Sequence, residues 1–252
     1  MTPRPLYHLP VIALRELRAE GPPAPRVPEP MVMDEPEGVA GFHAGGELNG
    51  LPAQYDLNAR AMSALLPDGA RLLDLGCGSG QYLAFLAKRR PDLTIVGLDL
   101  SKPMLETGRE MLEREGLQDR VSLVECDITA VDDELASRAL DLVSTVFTLH
   151  QLPDEDVLDG ALRQIAALRE RHGCGVWIFD FARLKDERTL PALFGVTEPD
   201  APPVFRKDAI ASERAGFTVE ELDRRLEQAG LTDLESGHSR PIPMTQIRWA
   251  PA

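Results

Sequence analysis

The sequence predicts an α/β protein: an open, doubly wound, mostly parallel sheet with helices on both faces and an antiparallel C-terminal edge. Three observations carry this. Between residues 71 and 181 short apolar runs alternate with helical repeats, the order in which crossover helices wind a parallel sheet. Two of the runs, "TIVGL" and "GVWIF", are apolar on both sides, as strands covered on both faces must be. After residue 216 the alternation gives way to one helix and then two strands joined by a short proline turn, which makes the last pair antiparallel at the sheet edge.

The elements follow in order. Residues 21–36, "GPPAPRVPEPMVMDEP", are proline-dense. Proline fixes φ and offers no ladder donor, so this stretch is an extended arm. A short helix is expected before it at 11–18, and a glycine-rich irregular stretch, "GVAGFHAGGELNGL", follows it. "PAQYDLNARAMSALLP" regains helical spacing, with Tyr55, Leu57, Ala61 and Leu65 on related faces. Strands are expected at 71–75, 94–98, 121–126, 141–147 and 176–181, and helices at 81–90, 103–116, 132–138 and 154–172. Residues 182–216 are long and proline-broken and read as an insertion. "FTVEELDRRLEQAGL" is a helix with Thr218 as N-cap, Glu221 completing a capping box, and Gly230 as the stop. The expected organisation is an arm or lid over 1–50, a core over 51–182, an insertion covering the site over 183–216, and a C-terminal helix with edge strands over 217–252.

Composition excludes several function classes. The chain has 252 residues, 43% of them apolar, enough for one sizeable core. No apolar run reaches 18 residues, so no membrane span is expected. Arg15 and Arg18 follow the N-terminal apolar patch without a cleavage site, so no signal peptide is expected and the location is cytoplasmic. The formal net charge is −14, which repels a nucleic acid unless a basic stripe opposes it. The densest basic stretch, "AKRRP", closes a helix instead. Cys77, Cys126 and Cys174 form no CxxC pair, so neither a disulfide framework nor a zinc site is indicated, and they read as small buried fillers. No other metal-ligand spacing appears.

The chemistry begins at "LLDLGCGSG", residues 72–80. A strand ends at Gly76 and a helix starts near Gln81, so the glycines form the first strand-to-helix turn, where an open parallel sheet binds ligands. Glycine there accepts positive φ and leaves the backbone bare. A dinucleotide fingerprint fits poorly. Gln81 stands where its third glycine belongs, and Asp74 would repel a pyrophosphate. A ligand with positive charge near Asp74 fits better. Asp99, in "VGLDLS", lies 21 residues past Gly78, a spacing that suits the hydroxyls of a ribose. Asp127, in "VECDIT", ends the third strand and suits an exocyclic adenine amine. A cationic amino-acid tail, a ribose and an adenine together describe S-adenosylmethionine.

"LLDLGCGSG", "VGLDLSKPML", "VECDIT" and "DLVSTVFTLHQLP" resemble, in order, the motifs of class I S-adenosylmethionine-dependent methyltransferases, over roughly residues 51–181. The resemblance implies a Rossmann-like core. It places Asp74, Gly76, Cys77 and Gly78 around the methionine moiety, and Asp99 on the ribose. Leu100 and Met104 fall beside the adenine, with Cys126, Asp127 and Ile128 along its edge. Val146 lies near the methionine end, and Tyr55 closes over the cofactor. The product would be S-adenosylhomocysteine.

A sulfonium methyl is already activated, so proximity and alignment are the enzyme's main contributions. His150, just past the fourth strand, is the candidate general base for an acceptor that must lose a proton, a role that imidazole suits as a side-chain type. Asp180 and Arg183, leaving the fifth strand, are candidates for binding a charged substrate group, as is His43 in the glycine-rich arm. The arm and the insertion, with Phe42, Leu193, Phe194 and Phe205, are apolar enough to cover the cleft and keep water out. The expected acceptor is a small molecule methylated on O, N or S. A peptide or protein acceptor and a non-catalytic cofactor-binding subunit are the alternatives. Arm exchange predicts a homodimer.

Overall fold

The run "LLDL" becomes the middle of a seven-stranded sheet in a computed structural model of the chain, which describes residues 8–30, 38–39, 43, 51–136, 139–200 and 202–252. Strand β1 (Arg71–Leu75) pairs in parallel with β2 (Thr94–Asp99) on one side and β4 (Leu142–Val146) on the other. Outside these lie β3 (Val121–Glu125) and β5 (Gly175–Phe181), also parallel. The C-terminal strand β7 (Thr245–Ala250) runs antiparallel to β5, and β6 (Glu235–His238) closes that edge. The order β3-β2-β1-β4-β5-β7-β6 reverses its winding between β1 and β4, which opens a crevice at the carboxyl ends of those strands.

Side chains alternate along each strand, and the sheet therefore sorts its apolar residues into two cores. Leu72, Ile95 and Leu142 face helices α2 (Leu51–Ser63), α3 (Gln81–Arg89) and α4 (Lys102–Arg114). Leu73, Leu75, Val143 and Ile178 face α6 (Glu155–His172) and α9 (Val219–Gln228), with the short α5 (Asp133–Ala136) preceding β4. The Thr218–Glu221 capping box at the start of α9 forms as expected, which satisfies two otherwise unpaired backbone donors.

Two readings of the sequence are corrected. In α2 the buried residues are Tyr55, Asn58, Ala59 and Met62, whereas Leu57 is exposed. Positions 55 and 57 stand about 200° apart on a helix, so they cannot share a face. Asn58 takes the inner place because Trp177 Nε1 donates to its Oδ1 at 2.9 Å. The insertion is also not proline-broken coil. It contains α7 (Thr189–Thr197) and α8 (Pro203–Ala215). Pro191 and Pro203 sit in first turns, where a missing N–H removes no helical hydrogen bond.

The N-terminal helix α1 (Leu9–Leu17) packs on this insertion. Ile12 and Ala13 share a core with Leu184, Leu193 and Val196. Its buried Glu16 accepts hydrogen bonds from Lys185 N, Asp186 N and Thr189 Oγ1 at 2.7–3.1 Å. Phe194 and Phe205 meet edge to face at 6.0 Å, which locks α7 to α8. Arg90, from the basic stretch, is used internally by the carbonyls of Ser63, Leu66 and Pro67 and by Asp92. Among the described residues no helix is long and apolar enough to cross a membrane.

Candidate functional site

The glycine turn joins β1 to α3. Gly76, Gly78 and Gly80 have φ of +79°, +54° and +69°, values that L side chains adopt only with strain. Gly76 N and Cys77 N both donate to Leu98 O, at 2.7 and 2.8 Å, which pins the turn to the end of β2. A Cβ on Gly76 would lie 2.0 Å from Thr148 Cγ2, and one on Gly78 would lie 3.2 Å from Met104 Cε. The loop after β4 leaves no room for a side chain at Gly76, while Met104 of α4 crowds one at Gly78 and Leu123 of β3 one at Gly80.

Parallel register places the acids. Asp74 lies opposite Ser144 on β4 and Gly97 on β2. Ser144 Oγ donates to Asp74 Oδ1 at 2.5 Å, while Gly97 leaves room for the side chains of Cys77 and Leu83. Burial pushes the Asp74 carboxyl up to about 7, partly offset by the Ser144 hydrogen bond. At the end of β2, Asp99 accepts from Gly78 N at 2.7 Å and from Ser101 N at 2.9 Å. Burial raises its pKa as well, opposed by those backbone donors. Each carboxylate oxygen has two lone pairs, so both bonds leave Asp99 able to accept from a ligand hydroxyl.

Tyr55, Asp74, Gly76, Cys77, Gly78, Asp99, Met104 and Val146 are brought together as the walls of one cleft. Leu100, Cys126, Asp127 and Ile128 are not among its lining residues. Cys126 and Ile128 are buried with Leu75 and Leu98 in the other core. Asp127 is exposed, and its Oδ1 accepts from Thr129 N and Thr129 Oγ1, both at 2.8 Å, the geometry of a turn acid.

The cleft also includes Ser79, Gln81, Tyr82, Ser101, Phe147 and Gln151, none of which sequence reasoning assigned to the site. Ser101 was legible as the N-cap of α4, since Met104 N donates to its Oγ at 3.3 Å. Gln81 and Tyr82 open α3 directly after the glycines. Gln81 Oε1 is buried with no hydrogen-bond partner among the described residues, an acceptor suited to a ligand N–H or O–H. Phe147, at φ +55°, is the one described non-glycine residue with positive φ, and no local pattern marked it.

The candidate substrate groups are placed differently from one another. His43 Nδ1 lies 3.0 Å from Ser79 Oγ, and its carbonyl accepts from Gln81 Nε2 at 2.8 Å, so it sits over the glycine turn. Phe42 lies outside the described residues. Arg183 is buried and donates to Gly216 O at 2.9 Å and Glu221 Oε1 at 2.6 Å. Asp180 is buried too, and accepts from both the backbone N–H and Nδ1 of His150, at 3.1 and 2.7 Å. Both are committed to internal partners, because the insertion and α9 fold over the end of β5. The His150 ring is 3% exposed, meets Phe181 edge to face at 5.1 Å, and directs Nε2 toward Glu29 at 3.9 Å. It does not line the cleft, so the geometry gives the expected general-base role no support.

Comparison with known proteins accords with this site. Residues 72–173 match a family described as a methyltransferase domain. The chain is 35% identical over 88 residues to methyltransferase GfsG of Streptomyces halstedii, covering 35% of this chain and 31% of that protein. It is 40% identical over 90 residues to a carboxy-S-adenosyl-L-methionine synthase of Chromohalobacter salexigens, covering 35% and 32%. The chain thus matches about a third of the length of these curated relatives. Its fold is similar to that of an O-methyltransferase from neocarzinostatin biosynthesis solved with S-adenosyl-L-homocysteine and 1,4-dihydroxy-2-naphthoic acid. There the TM-score is 0.56 at 20% identity, over 86% of this chain and 59% of that one. The similarity to methyltransferase domains thus spans residues 72–173 of the chain.

Proposed function

We propose that this protein is an S-adenosylmethionine-dependent methyltransferase acting on a small-molecule O, N or S nucleophile. The observation that carries the reading is the pairing of two carboxylates, Asp74 and Asp99, with a positive-φ glycine turn in one cleft at the sheet's switch point. The residues present fit the cofactor. Asp74 and the Gln81 Oε1 acceptor suit its ammonium end, Asp99 suits the ribose hydroxyls, and Met104 offers an apolar contact for the adenine. When bound, the cofactor supplies a methyl group already activated on a sulfonium sulfur.

This chain's own residues hold and align. Tyr55, Tyr82, Val146 and Phe147 form the apolar walls, which exclude water from the cleft. Helix α1 packs on the α7–α8 insertion, and the extended arm bonds to α8 and to the loop after β4, which we read as covers suited to a small acceptor. The charge of −14 disfavours a nucleic-acid acceptor. One relative is named a methyltransferase and the other a synthase of a carboxylated S-adenosylmethionine. The shared segment therefore supports the cofactor more strongly than the reaction, and the acceptor is read from the covers.

Titration calorimetry of the purified protein with S-adenosylmethionine, S-adenosylhomocysteine and NAD tests this. Micromolar binding of the two sulfur compounds without NAD is expected. Binding of NAD alone, or of none of the three, would overturn the reading.

A further inference from the structure

The extended arm does not simply lie on the surface. At its middle Arg26 inserts its guanidinium among the carbonyls of the loop that follows β4. It donates to His150 O at 2.8 Å, to Pro153 O at 3.1 Å and to Leu152 O. Its Nε donates to Ala215 O at 2.6 Å, and its guanidinium carbon stands 4.2 Å over the Phe217 ring. One residue further, Val27 N donates to Arg214 O at 3.1 Å. Glu29 follows, with an oxygen 3.9 Å from His150 Nε2 and another contact to Ser212 Oγ at 3.2 Å.

The loop gripped in this way is also a wall of the cofactor cleft. Phe147 and Gln151 line the cleft. Thr148 Oγ1, between them, donates to Gly76 O at 2.9 Å. His150 is held from the opposite side by both of its bonds to Asp180. Within this short loop Thr148 thus bonds the glycine turn and His150, two residues on, accepts from the arm. Phe147 holds a positive φ, a strained conformation that persists only where the surroundings enforce it.

We propose that Arg26 and Glu29 are positioning residues for the cofactor site: by docking on residues 147–153 they set the cleft wall, so that arm docking and cofactor binding are thermodynamically linked. The proposal rests on the cofactor reading above. Arg26 acts through the carbonyls of the loop, and Glu29 acts through the His150 ring. Linkage is reciprocal: whatever factor the docked arm contributes to cofactor affinity, the cofactor must return to arm docking.

The test uses the full chain and S-adenosylhomocysteine as the probe. The Arg26–Val27 bond is a trypsin site, and in the docked arm its arginine is engaged by four carbonyls. Cleavage there reports the undocked population when opening is fast. Saturating S-adenosylhomocysteine is expected to slow this cleavage about ten-fold, within the usual range of coupling between sites, and NAD is expected to leave it unchanged. Calorimetry should show Arg26→Gln weakening S-adenosylhomocysteine by the same factor. Glu29→Gln should weaken it less, and Glu29→Asp should recover part of the loss. A merely structural arm would lower stability without this reciprocity. If the wild type binds S-adenosylhomocysteine but cleavage is unchanged, the linkage is overturned and the cofactor reading stands. If the wild type does not bind it, both fall. The wild-type cleavage measurement decides the matter even if Arg26→Gln fails to fold.

Discussion

Thr148 occupies the space a side chain on Gly76 would need: a Cβ built there falls 2.0 Å from Thr148 Cγ2 and 2.7 Å from its Oγ1. The same hydroxyl donates to Gly76 O, so the loop after β4 is both packed against and bonded to the glycine turn. Gly76→Ala must therefore bear a clash with the Thr148 side chain and a positive φ together. It is expected to cost about 2 kcal/mol or more of stability, read as a lower denaturant midpoint, with a loss of cofactor binding beyond that expected from unfolding alone.

Asp99, the proposed ribose acceptor, joins the glycine turn to the start of α4 by accepting from Gly78 N and Ser101 N. Asp99→Asn replaces one acceptor oxygen by an NH2 group that faces a backbone donor. S-adenosylhomocysteine should bind more weakly by about 1–3 kcal/mol, as measured by calorimetry. Unchanged affinity would displace the ribose from this residue.

The Asp74 carboxyl is pushed up to about 7 by burial. Its folded pKa thus exceeds the ordinary carboxylate value of 3.8. The contribution it makes to stability is present below that lower value and is lost as pH rises through about 7. Apoprotein stability measured by urea unfolding should fall from pH 5 to pH 8 by an amount on the order of 1–3 kcal/mol from this group. Asp74→Asn should remove that part of the slope and raise stability at pH 8, since Asn Oδ1 still accepts from Ser144. It should also weaken the cofactor, whose cation loses its counter-charge.

Glu213, on α8, behaves with the same sign in a different place. Burial, with the charge of Glu16 adding to it, pushes its carboxyl to about 7, while Leu184 N donates to it at 2.6 Å. Glu213→Gln should flatten the remaining pH dependence of unfolding between pH 5 and 8 and leave S-adenosylhomocysteine affinity unchanged. A change in affinity would show that the insertion bears on the cleft through Glu213.

Much of the fold was legible because it is encoded locally. β1 spans Arg71–Leu75, the bounds expected from its short apolar run. The Thr218 capping box and the antiparallel pairing of β6 with β7 follow from short-range signals. The cleft acids were legible for the same reason, since Asp74 and Asp99 sit at strand ends next to glycines and helix starts. Leu57 was misplaced because a list of apolar residues is not a face until the 100° step is applied to each pair. The helices α7 and α8 were missed because their prolines, which usually signal a break, occupy first turns.

The sequence alone determined the alternation of strands and helices, the glycine turn, and the carboxylates that a cationic, ribose-bearing cofactor requires. Each depends on spacings of a few residues. Only the tertiary structure decided what surrounds His150. Asp180 comes from 30 residues downstream and Arg26 from 124 residues upstream, and no local period relates such positions. Their meeting depends on sheet order, on the insertion folding over β5, and on the arm reaching the carbonyls of the loop after β4. The same long-range packing withdraws His150 from the cleft and gives it to the loop that forms the cleft wall.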